Sequence, residues 1–168
     1  MQKNKSYVDR LQSGITILEN LSRGVSPEKL HEHPVSGKWS MLECLCHVTD
    51  FEIVMMDRIK RILAENNPLI ISASETGYAE NLFYDKRTYE NEMSLFISAR
   101  WQLSEIVSHL QGDDFSRTCV HHQMGKMTAE DWIKKICGHS EYHFKFMDEK
   151  RIAMGLPAVG VKEQKDYP

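Results

Sequence analysis

Two histidines four residues apart, His139 and His143, give the sequence its clearest chemical signal. On an α-helix this spacing places the side chains about 40° apart around the axis and one turn apart along it, so both imidazoles can bind one ion. Ile136 and Met147 share their face of the helix with the spacing of core residues. Because a buried polar group without a partner costs a few kcal/mol, histidines on a core face need a partner, and a divalent metal ion is one.

A third histidine, His47, lies on the core face of another predicted helix, seven residues after its cap and so about 10 Å along the axis. His139 and His143 each lie about 16 Å from an end of their own helix. The three side chains can therefore share one layer to within about one turn, whether the two helices run parallel or antiparallel. A three-histidine metal site is one interpretation. The alternative is a metal-free core with paired histidines, since an i,i+4 pair can arise by chance among eight histidines.

The same stretch excludes the zinc peptidases. Their motif is H-E-x-x-H, in which the glutamate directly after the first histidine acts as the base. Here Glu141 comes two residues after His139 and points about 200° away from it. Glu141 therefore cannot activate a water on an ion that His139 binds.

Other polar residues have open roles in the sequence. Asp50 follows His47 by about one turn, where it would orient the imidazole, accept a proton, or make a solvated or interhelical polar contact. Arg100 interrupts the apolar side of a third helix, where it would bind an acidic substrate group or extend to water. His121 and His122 lie in a predicted loop, where they would cap or line a site.

Four long segments with helical periodicity must position these residues, and strand-like alternation is nearly absent. The predicted helices span residues 6–21, 40–66, 85–110 and 128–154. Ser40 with Glu43, and Thr128 with Asp131, form capping boxes at two of the starts. Four amphipathic helices joined by long loops predict an all-α four-helix bundle, formed as one domain over residues 1–168 with an irregular tail at 158–168.

Composition narrows the range of partners. A net charge of -3 gives no support for nucleic-acid binding, and the basic cluster Arg58, Lys60 and Arg61 is interpreted as a solvated helix face. No secretory signal and no apolar run of the roughly 20 residues that span a bilayer are recognised. The four cysteines form no C-x-x-C pair. We therefore expect a cytoplasmic protein with reduced thiols and no membrane partner.

Two stretches resemble the signatures of the DinB-like (YfiT-like) superfamily of metalloenzymes. The residues that carry the resemblance are Gly37-Lys38-Trp39-Ser40, Glu43 and His47-Val48-Thr49-Asp50-Phe51-Glu52 for the second helix, and Gly125-Lys126-Met127-Thr128, Trp132 and His139 through His143 for the fourth. The resemblance covers essentially residues 1–154. It implies an up-down-down-up bundle, in which residues 67–84 form a long crossover between the second and third long helices.

The resemblance also implies one divalent ion per chain, nickel or zinc, bound by His47, His139 and His143 with water completing the shell. Relatives with known reactions are thiol-dependent transferases and an isomerase, and many form homodimers. The predicted function is a metal-dependent thiol S-transferase or hydrolase that acts on a small molecule, with a low-molecular-weight thiol as the partner that the transferase reaction would use. The alternative is a non-catalytic metal-binding bundle with a stress-response or ligand-binding role. The sequence identifies no catalytic side chain.

Overall fold

Four long helices form close to where the sequence predicts them, and the expected all-α four-helix bundle is confirmed. They are α1 (Gln2–Ser22), α3 (Met41–Ala64), α5 (Tyr89–His109) and α6 (Ala129–Ala153). A short helix, α2 (Pro27–Leu30), lies between the first two, with the side chain of Ser26 capping its start. Helix α5 begins four residues later than predicted, because Tyr84–Lys86 forms a separate 3₁₀ turn.

The computed structural model describes residues 2–161. Residues 156–161 have no regular secondary structure, as expected for the start of the tail, and 162–168 lie outside the described residues. None of the helices within 2–161 has the length and apolar character that a membrane crossing requires.

The two predicted capping boxes fix the starts of the helices that carry the three histidines. In α3, the Ser40 hydroxyl accepts from the Glu43 amide, and the Glu43 carboxylate accepts from the Ser40 amide at 2.6 Å. In α6, Thr128 and Asp131 exchange the same pair of hydrogen bonds at 3.1 and 2.9 Å. Each box satisfies amides that the first helical turn leaves without partners.

Hydrogen bonds near the helix ends show how the helices run. Asn4, at the start of α1, donates to the carbonyl of Leu110 just after α5, so α1 and α5 are antiparallel. Arg117 donates to the carbonyl of Ile62 near the end of α3, and its own carbonyl accepts from Ala129 at the start of α6. Helices α3 and α6 are therefore antiparallel neighbours.

A small sheet and a further helix lie in the connections, where the sequence predicts only loops. The elements are β1 (Leu69–Ile70), α4 (Glu75–Asn81), β2 (Thr118–His121) and β3 (Gly125–Thr128). Strand β2 is central, parallel to β1 and antiparallel to β3. The prediction that His121 lies in a loop is wrong, because His121 ends β2 and pairs with Gly125.

Arg100 lies in the core, and both roles predicted for it are wrong. Its side chain is 1% exposed, and its Nε atom lies 2.7 Å from Oε1 of Glu52 on α3. Its other nitrogens donate to the carbonyls of Leu11 on α1 and Ile136 on α6, and to the hydroxyl of Ser140. Arg100 therefore joins all four long helices, where it reaches neither water nor a substrate.

Candidate metal centre

The structure brings together the three histidines that the sequence singles out. Nε2 of His47 lies 3.1 Å from Nε2 of His139 and 3.1 Å from Nε2 of His143. In a tetrahedral zinc shell with bonds of about 2.0–2.1 Å, the ligand nitrogens are roughly 3.3–3.4 Å apart. The spacing therefore fits one ion. Residues 2–161 contain no second group of three or more histidine, cysteine or acidic side chains whose ligand atoms all lie within 4.8 Å of one another.

Burial keeps the three imidazoles neutral. His47 and His139 are 1% and 2% exposed, and His143 is partly exposed. Burial lowers the pKa of His47 to about 4 and that of His143 to about 3, and burial followed by the neighbouring imidazoles lowers the pKa of His139 well below its usual value. Neutral imidazole is the form that binds a metal.

The convergence at Nε2 of His47 also distinguishes a metal site from a set of histidines that only bond to one another. A neutral imidazole nitrogen carries either one proton or one lone pair. Nε2 of His47 can therefore bond to both His139 and His143 only by dividing one proton or one lone pair between them, which leaves each of these hydrogen bonds weaker than a well-aligned one. One cation at the centre would satisfy all three lone pairs at once, so the residues present fit a metal ion.

Aromatic rings enclose the cluster on two sides. The Trp39 ring lies 4.9 Å from the His47 ring and stacks against His143 at 6.5 Å. The Phe51 ring lies 4.8 Å from His47 and 5.7 Å from His139. Phe51 has no predicted role at this site, although its position four residues after His47 places it on the same helix face. The walls are therefore apolar, and the partly exposed His143 marks the side open to solvent.

Asp50 has a partner other than His47. Both of its carboxylate oxygens accept from Arg87, at 2.8 and 3.0 Å, and Arg87 also binds Glu92. Nδ1 of His47 is buried and has no hydrogen-bond partner among the described residues. The prediction that Asp50 orients this imidazole is wrong. Asp50 makes a polar contact instead, but its partner lies in the connection before α5 and not on another helix, as the interhelical alternative expected. The charge of Asp50 still raises the pKa of His47, against the larger lowering by burial.

Glu141 lies away from the cluster, as its position in the helix predicts. Its carboxylate accepts two hydrogen bonds from Arg10 on α1, at 3.1 and 2.7 Å. The exclusion of a peptidase-like arrangement on α6 is therefore confirmed, because this glutamate is committed to a contact between α1 and α6.

The cysteines also lie outside the cluster. All four are free and buried. Cys46, beside His47 in the sequence, donates to the carbonyl of Tyr84 at 3.6 Å, and burial raises the pKa of its thiol to about 12. Burial raises the pKa of Cys137 to about 12 as well. Neither thiol is positioned or ionised to serve as a nucleophile at the three histidines.

His121 and His122 organise the turn between β2 and β3 outside the cluster. Nδ1 of His121 accepts from the amides of Gln123 and Met124, at 3.3 and 3.2 Å. Nδ1 of His122 accepts from the amide of Ser72 at 3.1 Å. Both side chains therefore hold this turn and the segment after β1 in place.

Comparison with known proteins agrees with this architecture. Residues 10–147 match the family model of the DinB superfamily. The chain is 23% identical over 145 residues to the uncharacterized protein YuaE of Bacillus subtilis strain 168, covering 77% of this chain and 88% of YuaE. It is 23% identical over 137 residues to OB0782 of Oceanobacillus iheyensis, covering 82% of this chain and 79% of OB0782. The name of OB0782 assigns it provisionally to the metal-dependent hydrolases.

A solved structure shows the same fold. YfiT from Bacillus subtilis, described as a probable metal-dependent hydrolase with an unusual four-helix bundle topology, superposes with a TM-score of 0.84 at 18% identity. The match covers 94% of this chain and 90% of the YfiT chain. With the family model matched from residue 10 to residue 147, the resemblance seen in the sequence is confirmed, and the chain belongs to the DinB superfamily.

Proposed function

We propose that the chain is a metal-dependent enzyme acting on a small molecule, with one divalent ion held by Nε2 of His47, His139 and His143. The observation that carries the proposal is the convergence of these three nitrogens, with 3.1 Å from that of His47 to each of the others. The provisional assignment of OB0782 to the metal-dependent hydrolases and the description of YfiT as a probable metal-dependent hydrolase support it. Nickel or zinc is the ion that the resemblance implies.

The ligand set is of the catalytic rather than the structural type. Three protein ligands leave a position for water or substrate, as in catalytic zinc sites, whereas structural sites use four. When bound, such an ion lowers the pKa of a coordinated water or thiol and so supplies a nucleophile at neutral pH. The chain contributes three fixed imidazoles, the apolar walls of Trp39 and Phe51, and an opening beside His143.

None of Cys46, Asp50 and Glu141 is placed to act as the nucleophile. The buried thiol of Cys46 donates to a carbonyl, and Asp50 and Glu141 are held by arginines. We therefore propose either hydrolysis, with water as nucleophile, or transfer of a low-molecular-weight thiol to an electrophile. The names of the relatives favour the first reaction, and the family resemblance favours the second.

A non-catalytic metal site is the second candidate, and the near-complete burial of His47 and His139 favours it. An ion shielded in this way would join α3 to α6 and stabilise the bundle without turning over a substrate. Both candidates require bound metal, and they differ in whether the loaded protein has activity.

Metal analysis of untagged protein tests the site. We expect about one ion per chain in the wild type, and at least a tenfold loss of affinity in H47A, H139A and H143A, since each removes one of three ligands. H31A is the matched control, because His31 is exposed and lies outside the cluster. Absent metal in the wild type, or equal metal in H143A and H31A, would refute the site.

Activity assays then separate the two candidates. Metal-loaded and chelated protein are compared on ester and amide substrates, and on small thiols with a generic electrophile. Turnover that requires metal and is lost in H143A supports the enzyme. Stoichiometric metal without turnover in any of these assays supports the non-catalytic bundle.

A further inference from the structure

A cavity lies beside the histidine cluster, with walls from α3 and α6. Its volume is about 200 Å³, and its walls include Phe51 and Arg58 from α3, and Trp132 and Lys135 from α6. Phe51 is shared between the two sites, because its ring also contacts the rings of His47 and His139. The cavity is therefore the immediate neighbour of the proposed metal centre.

Arg58 gives this cavity a positive charge that no carboxylate neutralises directly. Its guanidinium is half-buried, lies 4.7 Å over the Trp132 ring, and donates one hydrogen bond to the carbonyl of Ile71 at 3.1 Å. No carboxylate of residues 2–161 lies within ion-pair distance of it. Removing a cation partly from water without a counter-ion is costly, and an arginine presents five donors suited to carboxylate or phosphate oxygens.

Trp132 adds a buried N–H donor for which the described residues provide no acceptor. The residue is 1% exposed, and its Nε1 has no hydrogen-bond acceptor among the described residues. The indole nitrogen can only donate, and leaving such a donor buried and unpaired costs about 1–3 kcal/mol. Because Trp132 lines the cavity, an oxygen atom of a molecule bound there is a candidate acceptor for this donor.

His121 forms a rigid neutral part of the wall. Because its Nδ1 accepts from two backbone amides, its proton must lie on Nε2, which donates to the Ser72 hydroxyl at 3.2 Å. The Ser72 hydroxyl in turn donates to the side-chain oxygen of Gln123 at 2.8 Å. These groups bond to one another, so they shape the cavity and do not compete with Arg58 and Trp132 for a bound anion.

The remaining charges at the cavity have opposite signs. Lys135 adds a second positive charge, and the pKa of His121 is lowered mainly by burial and further by the charges of Arg58 and Lys135. Glu75 lies exposed at the edge of the cavity, and its charge acts on Arg58 without forming an ion pair. The cavity therefore favours an anion, and Glu75 weakens that preference.

We propose that this cavity binds the anionic group of a small molecule, a carboxylate or a phosphate, with the Arg58 guanidinium and the Trp132 indole N–H as donors. Lys135 is one turn, about 6 Å along α6, from His139. A molecule anchored here would therefore extend past Phe51 toward the three histidines. The identification of this molecule as the substrate rests on the proposed function, whereas the binding of the anion does not.

Titration with inorganic phosphate and with succinate, at constant ionic strength and followed by calorimetry, tests the cavity. We expect saturable binding of at least one of the two to the full chain, and at least tenfold weaker binding to R58Q, because charge-assisted bonds to the guanidinium are lost. R61Q is the matched control. Arg61 lies on the same helix but pairs with Glu65 and does not line the cavity. The affinity of R61Q for the anion should therefore equal that of the wild type.

Two further variants separate recognition from general charge and from a loss of folding. W132F keeps an aromatic ring but removes the donor, and should weaken binding by roughly threefold to tenfold. E75Q removes the opposing charge and should tighten binding. The melting temperature of each variant is measured alongside, so that a folding defect in R58Q is recognised. If R58Q has such a defect, the binding affinities of W132F and E75Q test the proposal.

The titration is repeated on H143A, which lacks one proposed metal ligand. This variant distinguishes binding of the anion in the cavity from direct binding of the anion to a metal ion. Affinity retained in H143A and reduced in W132F supports the cavity, whatever the metal analysis gives. Preference for phosphate or for succinate identifies which anion it takes. No saturable binding of either probe, or equal binding to R58Q and R61Q, would overturn the proposal.

Discussion

Arg100 is a buried charge that joins all four long helices, so its removal should affect the stability of the core. Its charge is fully buried, and its main counter-ion, Glu52, is equally buried. Removing one member of such a pair leaves the other charged and unpaired, which typically costs 3–5 kcal/mol. We therefore predict that R100M lowers the free energy of unfolding by roughly 3–5 kcal/mol, measured by urea denaturation.

The double variant R100M/E52L is the control for that experiment. It removes both charges and should recover a large part of the lost stability, because apolar replacements of a buried pair are often tolerated. G14A tests the same packing from α1, since its added Cβ would lie 2.9 Å from an Arg100 nitrogen. If R100M alone were as stable as the wild type, Arg100 would not be the link that the structure indicates.

The three histidines predict how the metal-free protein responds to acid. The pKa of His47 falls to about 4 and that of His143 to about 3 on folding, from about 6.5 in the unfolded chain. Below pH 6.5 the unfolded state therefore binds protons that the folded state does not, and stability falls with falling pH until the folded pKa values are reached. Between pH 6 and pH 4, each such histidine lowers the free energy of unfolding by up to about 1.4 kcal/mol for each pH unit of acidification.

Urea denaturation of metal-free wild type and of H47Q/H143Q across this pH range measures that slope. The variant should lose less stability than the wild type on acidification, because it lacks two of the groups that the unfolded state protonates. H31Q, which alters an exposed histidine, should retain the wild-type slope. Parallel pH profiles for the wild type and H47Q/H143Q would contradict the neutral, buried state of these imidazoles.

At the scale of elements, the capping boxes hold α3 and α6 in place. We predict that S40A and T128A each lower the free energy of unfolding by about 1 kcal/mol, because amides of the first turn lose their acceptor. S98A is the control, since Ser98 is exposed in the middle of α5, where alanine is a good helix former. Thermal or urea unfolding gives the comparison, and S40A as stable as S98A would show that the cap contributes nothing.

The same elements show what the sequence can and cannot predict. Capping boxes and apolar periodicity located α3 and α6 to within two residues, and helical spacing brought His139 and His143 together. The sheet was missed because its strands are two or four residues long and β1 pairs with a segment some fifty residues away. Such short strands carry too little alternation to be recognised, and their pairing depends on how the helices pack.

The hydrogen-bond and ion-pair partners of polar side chains were harder to predict than the helix faces on which those side chains lie. The face of α3 that carries His47 follows from helical spacing, but the commitment of Asp50 to Arg87 depends on the route of the connection before α5. Arg100 was misplaced for a similar reason, because its counter-ion comes from another helix. Side-chain partners from distant segments are therefore read from the structure rather than from the sequence.

At the scale of the whole molecule, the homodimer implied by the resemblance stays a prediction. Light scattering after gel filtration should give about twice the 19.5 kDa of one chain. The measurement is made with and without metal, because a dimer that depends on metal would connect assembly to the histidine centre. A single-chain mass under both conditions would contradict the prediction.

A bound ion should stabilise the whole bundle, because its proposed ligands lie on two antiparallel helices, His47 on α3 and His139 and His143 on α6. A ligand that binds only the folded chain adds RT ln(1 + [L]/Kd), about 2.7 kcal/mol at a free concentration 100 times Kd. For a chain of this length that raises the melting temperature by roughly 5–11 °C. Zinc and nickel are each added to metal-free wild type, H143A and H31A. The shift should appear in the wild type and H31A and disappear in H143A, whereas an equal shift in all three would place the stabilising ion elsewhere.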